Sequence, residues 1–125
     1  MIVLDSSALL AVILKERGAD KVAATFPNAV ISAATLTEIL SKALQRELPT
    51  DGSYRRILNF GIAVMPVTAT HARITAEASR APRELDLSLG DRLCIALAIS
   101  LSCELVTSDR GIEGFMAGIP IMLFR

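Results

Sequence analysis

Aromatic side chains are almost missing from this sequence: four Phe, one Tyr and no Trp among 125 residues. The hydrophobic 52% of the chain is therefore mostly Ala, Leu, Ile and Val. That mix suits helices packed on a buried sheet and argues against an all-β barrel. Cysteine is scarce too. Cys94 and Cys103 are too few for a disulfide framework and lack the paired spacing of a zinc site. Both lie in or beside the apolar run Leu93 to Leu101, so they read as small buried hydrophobes, which fits a reducing cytoplasm. An excess of one charge is missing as well, since thirteen basic and thirteen acidic side chains cancel. No long-range field marks the chain as a nucleic-acid binder, and any such contact has to come from local clusters. The longest apolar runs, Ala8 to Leu14 and Leu93 to Leu101, fall well short of the ~20 residues of a membrane span. The amino terminus carries no basic segment and meets Asp5 at once, so no signal peptide is read there and a cytoplasmic protein is expected.

What is present is enough for one core, and one domain over residues 1–125 is expected. Ile2-Val3-Leu4 is a short apolar run ending at Asp5-Ser6-Ser7, the pattern of a buried strand feeding a helix. A helix from Ala8 to about Arg17 should stop at Gly18, and a second, Asp20 to Phe26, at Pro27-Asn28. Ala29 to Ile31 reads as the second strand, with Ser32 capping a helix that reaches Glu47. Leu36, Ile39, Leu40, Ala43 and Leu44 give that helix one apolar stripe. Pro49 to Gly52 punctuates the chain before a helix from Ser53 to Phe60. Ile62 to Val67 reads as a third strand that Pro66 places at an edge or ends early. A helix from Thr70 to about Arg80, a charged loop around Pro82 and a very apolar helix opened by Ser88 follow. Glu104 to Thr107 is a fourth strand, a helical turn follows Asp109, and Pro120 to Phe124 is a fifth strand. Strands alternate with helices throughout, which predicts a mostly parallel α/β sheet with right-handed crossovers.

In such a sheet, chemistry collects outside the carboxyl ends of the strands. Four acids fall there: Asp5 after the first strand, Glu38 in the second turn of the following helix, Asp91 in the first turn after Ser88, and Asp109 after the fourth strand. Gathered carboxylates repel, raise one another's pKa and call for a cation. Mg2+ or Mn2+ suits an all-oxygen donor set, and such an ion can promote in-line attack of water on a phosphodiester. With no Gly-rich phosphate loop, hydrolysis of phosphodiesters fits better than nucleotide binding. Each acid also has a structural use. Asp5 and Asp109 can cap helices, and Thr35-x-x-Glu38 and Ser88-x-x-Asp91 both match the capping box. Spacing leaves both readings open.

Four segments carry a resemblance: Val3-Leu4-Asp5-Ser6-Ser7-Ala8, Ile31 to Glu38, Leu87 to Arg92, and Val106-Thr107-Ser108-Asp109. In this order they resemble the signature segments of PIN domains, and more narrowly of the VapC toxins, over essentially the whole chain. The resemblance implies a three-layer α/β/α sandwich and a Mg2+- or Mn2+-dependent endoribonuclease. It further implies a homodimer with an RNA substrate and a cognate antitoxin protein as inhibitor. Residue by residue, Asp5, Glu38, Asp91 and Asp109 match the metal-holding acids, and Ser7 and Thr107 match hydroxyls that support them.

Around these, Lys15, Arg17, Lys21, Lys42 and Arg46 are candidate phosphate contacts, although a solvated helix face accounts for each. Arg92 is expected to pair with an acid, Asp86 to be a loop or cap residue, and His71 to be structural. Tyr54, Arg55 and Arg56 offer a surface for a dimer or antitoxin. Two rival readings remain. An aspartyl-phosphate phosphotransfer domain would want a second acid where Ser7 stands or a Lys after a later strand, yet none follows Lys42. A non-catalytic PIN-like binding module would use the four acids only as caps.

Overall fold

The structure, a computed structural model, describes residues 1–77, 86–115 and 118–125. Strand β1 (Ile2–Leu4) leads into α1 (Ser6–Ile13), α2 (Ala19–Ala23) and a single 3-10 turn, Phe26–Asn28. Then come β2 (Ala29–Ser32), α3 (Ala33–Gln45), α4 (Thr50–Asn59), β3 (Ala63–Met65) and α5 (Ala69–Glu77). The chain closes with α6 (Leu89–Leu101), β4 (Glu104–Thr107), α7 (Arg110–Phe115) and β5 (Ile121–Leu123). The strands form one sheet in the order β3-β2-β1-β4-β5. Every pairing is parallel, so the expected mostly parallel sheet is parallel throughout.

Successive strand residues point to opposite faces, and the core divides accordingly. Leu4, Ile31 and Val106 pack with Leu9 and Ala11 of α1, Val22 of α2, Ile39 of α3 and Ile57 of α4. Val3, Val30 and Leu105 pack on the other face with Cys94, Ile95 and Leu97 of α6 and Ile112 of α7. This is a three-layer α/β/α arrangement. Its apolar strands are continuous in sequence because both faces are covered. Cys94 and Cys103 are buried and unpaired, as expected. Among the described residues no helix is long and apolar enough to cross a membrane.

Several boundaries differ from expectation, each for a local reason. Helix α1 stops at Ile13, because Leu14 caps it and Lys15 turns to φ 56°; Gly18 does not end it. Gly18 heads α2 at φ 89°, and a Cβ there would meet the Phe124 ring and carbonyl at 2.6 Å. Pro49 is the N-cap of α4, so Thr50 to Gly52 form its first turn instead of a loop. Ala63 to Met65 is an edge strand that ends before Pro66, as a residue without an N–H requires. The last turn expected for the helix to Arg80 and the loop around Pro82 lie outside the described residues.

Candidate active site

The order of strands reverses at β1, which sends the chain to β2 on one side and has β4 on the other. Asp5 follows β1 at this point and is held on every side. Its N–H donates to the carbonyl of Val106 at 3.2 Å. Oδ1 accepts from the Ala8 N–H at 2.9 Å, making Asp5 the N-cap of α1, and from the Ser7 hydroxyl at 2.6 Å. Oδ2 accepts from the Thr107 hydroxyl. Both hydroxyls also accept from the next loop: Ser108 N–H donates to Ser7 Oγ at 3.1 Å and Asp109 N–H to Thr107 Oγ1 at 3.0 Å. A backbone N–H can only donate, so each hydroxyl is left with its one proton for Asp5. Burial nonetheless outweighs these three bonds, and with the charge of Asp91 it raises the Asp5 pKa above the ordinary value.

Asp91 and Ser88 form a full capping box at the start of α6. Ser88 N–H donates to Asp91 Oδ2 at 2.9 Å, and Asp91 N–H donates to Ser88 Oγ at 3.1 Å. Asp109 accepts the Gly111 N–H at 2.9 Å. Capping therefore occupies one oxygen on each of Asp5, Asp91 and Asp109. Glu38 is different. The box expected from Thr35 and Glu38 does not form, because Ser32 caps α3 through Ala34 N–H at 3.1 Å and Thr35 is buried. Among the described residues the Glu38 carboxylate has only a long contact from the Ser6 hydroxyl, 3.5 Å to Oε2. Its pKa is raised by burial first, then by the charges of Asp91 and Asp5, against the lowering effect of Lys42 and Ser6.

Asp5, Glu38 and Asp91 thus lie within electrostatic range of one another, while Asp109 is tied to them through its N–H to Thr107. Beneath them, Cys94 is fully buried, and burial with the charge of Asp5 pushes its thiol well above the usual range. Among the described residues no three of His, Cys, Asp and Glu stand close enough to grip one ion directly. A hard ion that keeps several waters and uses one or two carboxylates still fits such a set. It would also relieve the repulsion that raises Asp5 and Glu38.

The neighbouring residues sort clearly. Lys42 and Arg46 line a groove of about 380 Å³ between α1 and α3 with Ser7, Leu10, Ile39 and Arg125. Lys15, Arg17 and Lys21 line a separate, open depression around Gly18. Among the described residues Arg92 does not form the ion pair expected of it, and its Nε is buried without a partner. His71 is structural, with Nδ1 accepting from Thr68 N–H at 3.3 Å and Nε2 at 3.1 Å from Ser100 Oγ. Asp86 is a turn residue at φ 48°. Tyr54 is exposed on α4, and Arg56 lies 5.9 Å over the Phe60 ring. Sequence reasoning missed Ser6 and Gly90. A glycine in the first turn of a helix was the available signal for the second.

The PIN domain family matches residues 2–115 of this chain. Among solved structures, the fold is similar to a chain of the DNA-bound VapBC complex from Salmonella typhimurium, at 20% identity and TM-score 0.76, covering 99% of this chain and 98% of that one. A toxin–antitoxin complex from Klebsiella pneumoniae is similar at 21% identity and TM-score 0.70, covering 97% of this chain and 100% of that one. FitAcB from Neisseria gonorrhoeae is similar at 20% identity and TM-score 0.70, covering 99% and 98%. No curated protein sequence matches the chain.

Proposed function

The chain belongs to the PIN domain family, and from that premise we propose that it is a metal-dependent endoribonuclease, the toxin member of a VapBC-type pair. One observation carries the reading. Asp5 and Glu38 both have pKa values raised by burial first and then by the charge of Asp91, and no described cation forms an ion pair with any of the three. Clustered acids left without a cationic partner call for a cation from solution.

Asp5, Glu38, Asp91 and Asp109 would hold Mg2+ or Mn2+, directly or through water, with Ser7 and Thr107 fixing Asp5. When bound, such an ion supplies charge that offsets the phosphodiester's and makes water more acidic. Ser7 and Thr107 direct their protons at Asp5 and keep it an acceptor at both oxygens. Glu38, whose carboxylate has only the long Ser6 contact among the described residues, is the acid freest to take a proton from the attacking water. The water oxygen bonds to phosphorus, the bond to the 3′ oxygen breaks, and the products are a 3′-hydroxyl and a 5′-phosphate. Lys42, Arg46 and Arg125, in the groove that begins at Ser7, are placed to meet neighbouring phosphates.

Residues 1–125 act in this reading as one domain, in the cytoplasm, as a homodimer held silent by a cognate antitoxin. The named complexes from Salmonella, Klebsiella and Neisseria support the partner. Aspartyl-phosphate chemistry is disfavoured because Asp5 is 6% exposed with both oxygens engaged. The test is cleavage of a total cellular RNA pool with Mg2+, Mn2+ or EDTA, beside Asp91→Asn. Asn can still accept the Ser88 N–H, so this variant keeps its cap and loses only charge. Cutting that needs metal and disappears in the variant is expected. No cutting and no metal-induced rise in melting temperature would leave a module whose acids cap helices.

A further inference from the structure

We propose that Gly90 is a positioning residue: the side chain it lacks leaves the notch in which the Glu38 carboxylate sits against the first turn of α6. A Cβ built at Gly90 would lie 2.0 Å from Glu38 Oε1, 2.7 Å from its Cδ and 3.5 Å from its Cγ. All three nearest atoms belong to that one side chain. Glu38 therefore occupies the volume of the absent group.

The usual reason for a glycine does not apply here. Gly18, Gly61 and Gly118 have positive φ, whereas Gly90 lies in the regular helix α6 without one. Glycine in a helix lowers its stability relative to alanine, and α6 is otherwise well built, with a capping box and buried Cys94 to Ala98. Only the space remains as an explanation. Among the described residues Glu38 has no other firm anchor, since it caps nothing and its single hydrogen bond is the 3.5 Å contact from Ser6. The notch holds it beside Asp91, which the Ser88 box in turn fixes. The spacing of these two acids, from α3 and α6, is thus set by a missing methyl group.

The importance of that spacing for metal binding rests on the proposed function, but the notch itself does not. Because the clashing atoms are the far end of a flexible side chain, Gly90→Ala should fold, with a metal-free melting temperature equal to or above that of the parent. Its Mn2+ affinity, read by calorimetry, should fall by about tenfold or more. In a Glu38→Ala background the same change should have no further effect on Mn2+ affinity. In the metal-free protein, the 13C resonance of the Glu38 carboxyl should move in Gly90→Ala at constant pH.

An unmoved resonance together with unchanged Mn2+ affinity would overturn the proposal. So would an equal loss of affinity in the Glu38→Ala background, which would show that Gly90 acts by another route. Failure of Gly90→Ala to fold would overturn it as well, because Glu38 would then not have yielded. A parent protein that ignores Mn2+ while the Glu38 resonance still moves in the variant would keep the notch and sink the nuclease reading instead.

Discussion

Thr107 is fully buried, donates to Asp5 Oδ2 and accepts from the Asp109 N–H. Thr107→Val keeps the shape and removes both bonds, leaving an N–H and a carboxylate oxygen short of partners. The buried partner left short is the Asp5 carboxylate, since Asp109 itself is exposed, and the change should cost roughly 1–3 kcal/mol of stability in urea unfolding. The acids themselves act in the opposite sense. Glu38 has an ordinary value of 4.5 and Asp5 of 3.8, and both are raised in the fold. A raised carboxyl stabilises the fold in its protonated form, fully below the ordinary value, and that contribution is lost as pH climbs through the raised one. The metal-free protein should therefore lose stability from about pH 4 upward, and Glu38→Gln should lose less over the same range. Melting curves across that window decide it; a parent that gains on Glu38→Gln as pH rises would contradict the raised pKa. Mn2+ should reverse the trend, because ions compete with protons for these oxygens. At this scale the sequence was readable wherever a residue's use was local. Asp5, Asp91 and Asp109 sit at strand ends or in cap motifs, and all three cap as their neighbours suggest. Thr35 and Glu38 have the same motif and do not use it, because Ser32 takes the cap and α3 turns Thr35 inward. The meeting of Glu38 with Gly90 was hidden, since it depends on how α3 and α6 pack.

Helices and strands were easier to place than their ends. Leu4, Ile31 and Val106 on one face and Val3, Val30 and Leu105 on the other make runs that are apolar throughout, which only a sheet covered on both sides explains. The ends depended on residues that looked ordinary. Lys15 closes α1 by adopting φ 56°, a conformation that a lysine side chain does not advertise. Gly18 was noticed as a glycine but given the wrong task, because its close neighbour Phe124 is distant in sequence. Gly18→Ala combines left-handed backbone with a clash against the Phe124 carbonyl, and should destabilise the protein by about 1–3 kcal/mol. Thermal unfolding provides the check. A neutral result would mean that the loop between α1 and α2 yields more readily than its packing on Phe124 suggests.

The molecule as a whole carries no net charge, and that shapes how it can meet RNA. Long-range attraction is weak, so in the proposed reading binding depends on the few cations in the groove beside Ser7, namely Lys42, Arg46 and Arg125. Arg125 is also engaged by Glu16 at 3.4 Å. Each phosphate contact to a single strand contributes about −0.7 to the slope of log affinity against log salt, so three contacts predict a slope of about −2. Filter binding of an inactive Asp91→Asn protein across a salt series measures it, and a much steeper slope would require cationic surface outside this groove. Neutrality was the sequence property that fitted a nuclease least, and the fold sets against it three cations, Lys42, Arg46 and Arg125, in one groove beside Ser7.

The bond from Thr107 to Asp5 joins residues 102 positions apart, and β4 lies directly against β1. A ribosome making this chain therefore releases the first acid long before the strand that completes its surroundings. Until β4 has emerged and paired, Asp5 lacks one of its two hydroxyl donors, and Asp109 is not yet in place beside it. Contacts of such long sequence separation also form late and slowly in folding. In the proposed reading the site is therefore incomplete for most of the chain's synthesis, and the interval between completion and first cut is the time an inhibitor would have to arrive.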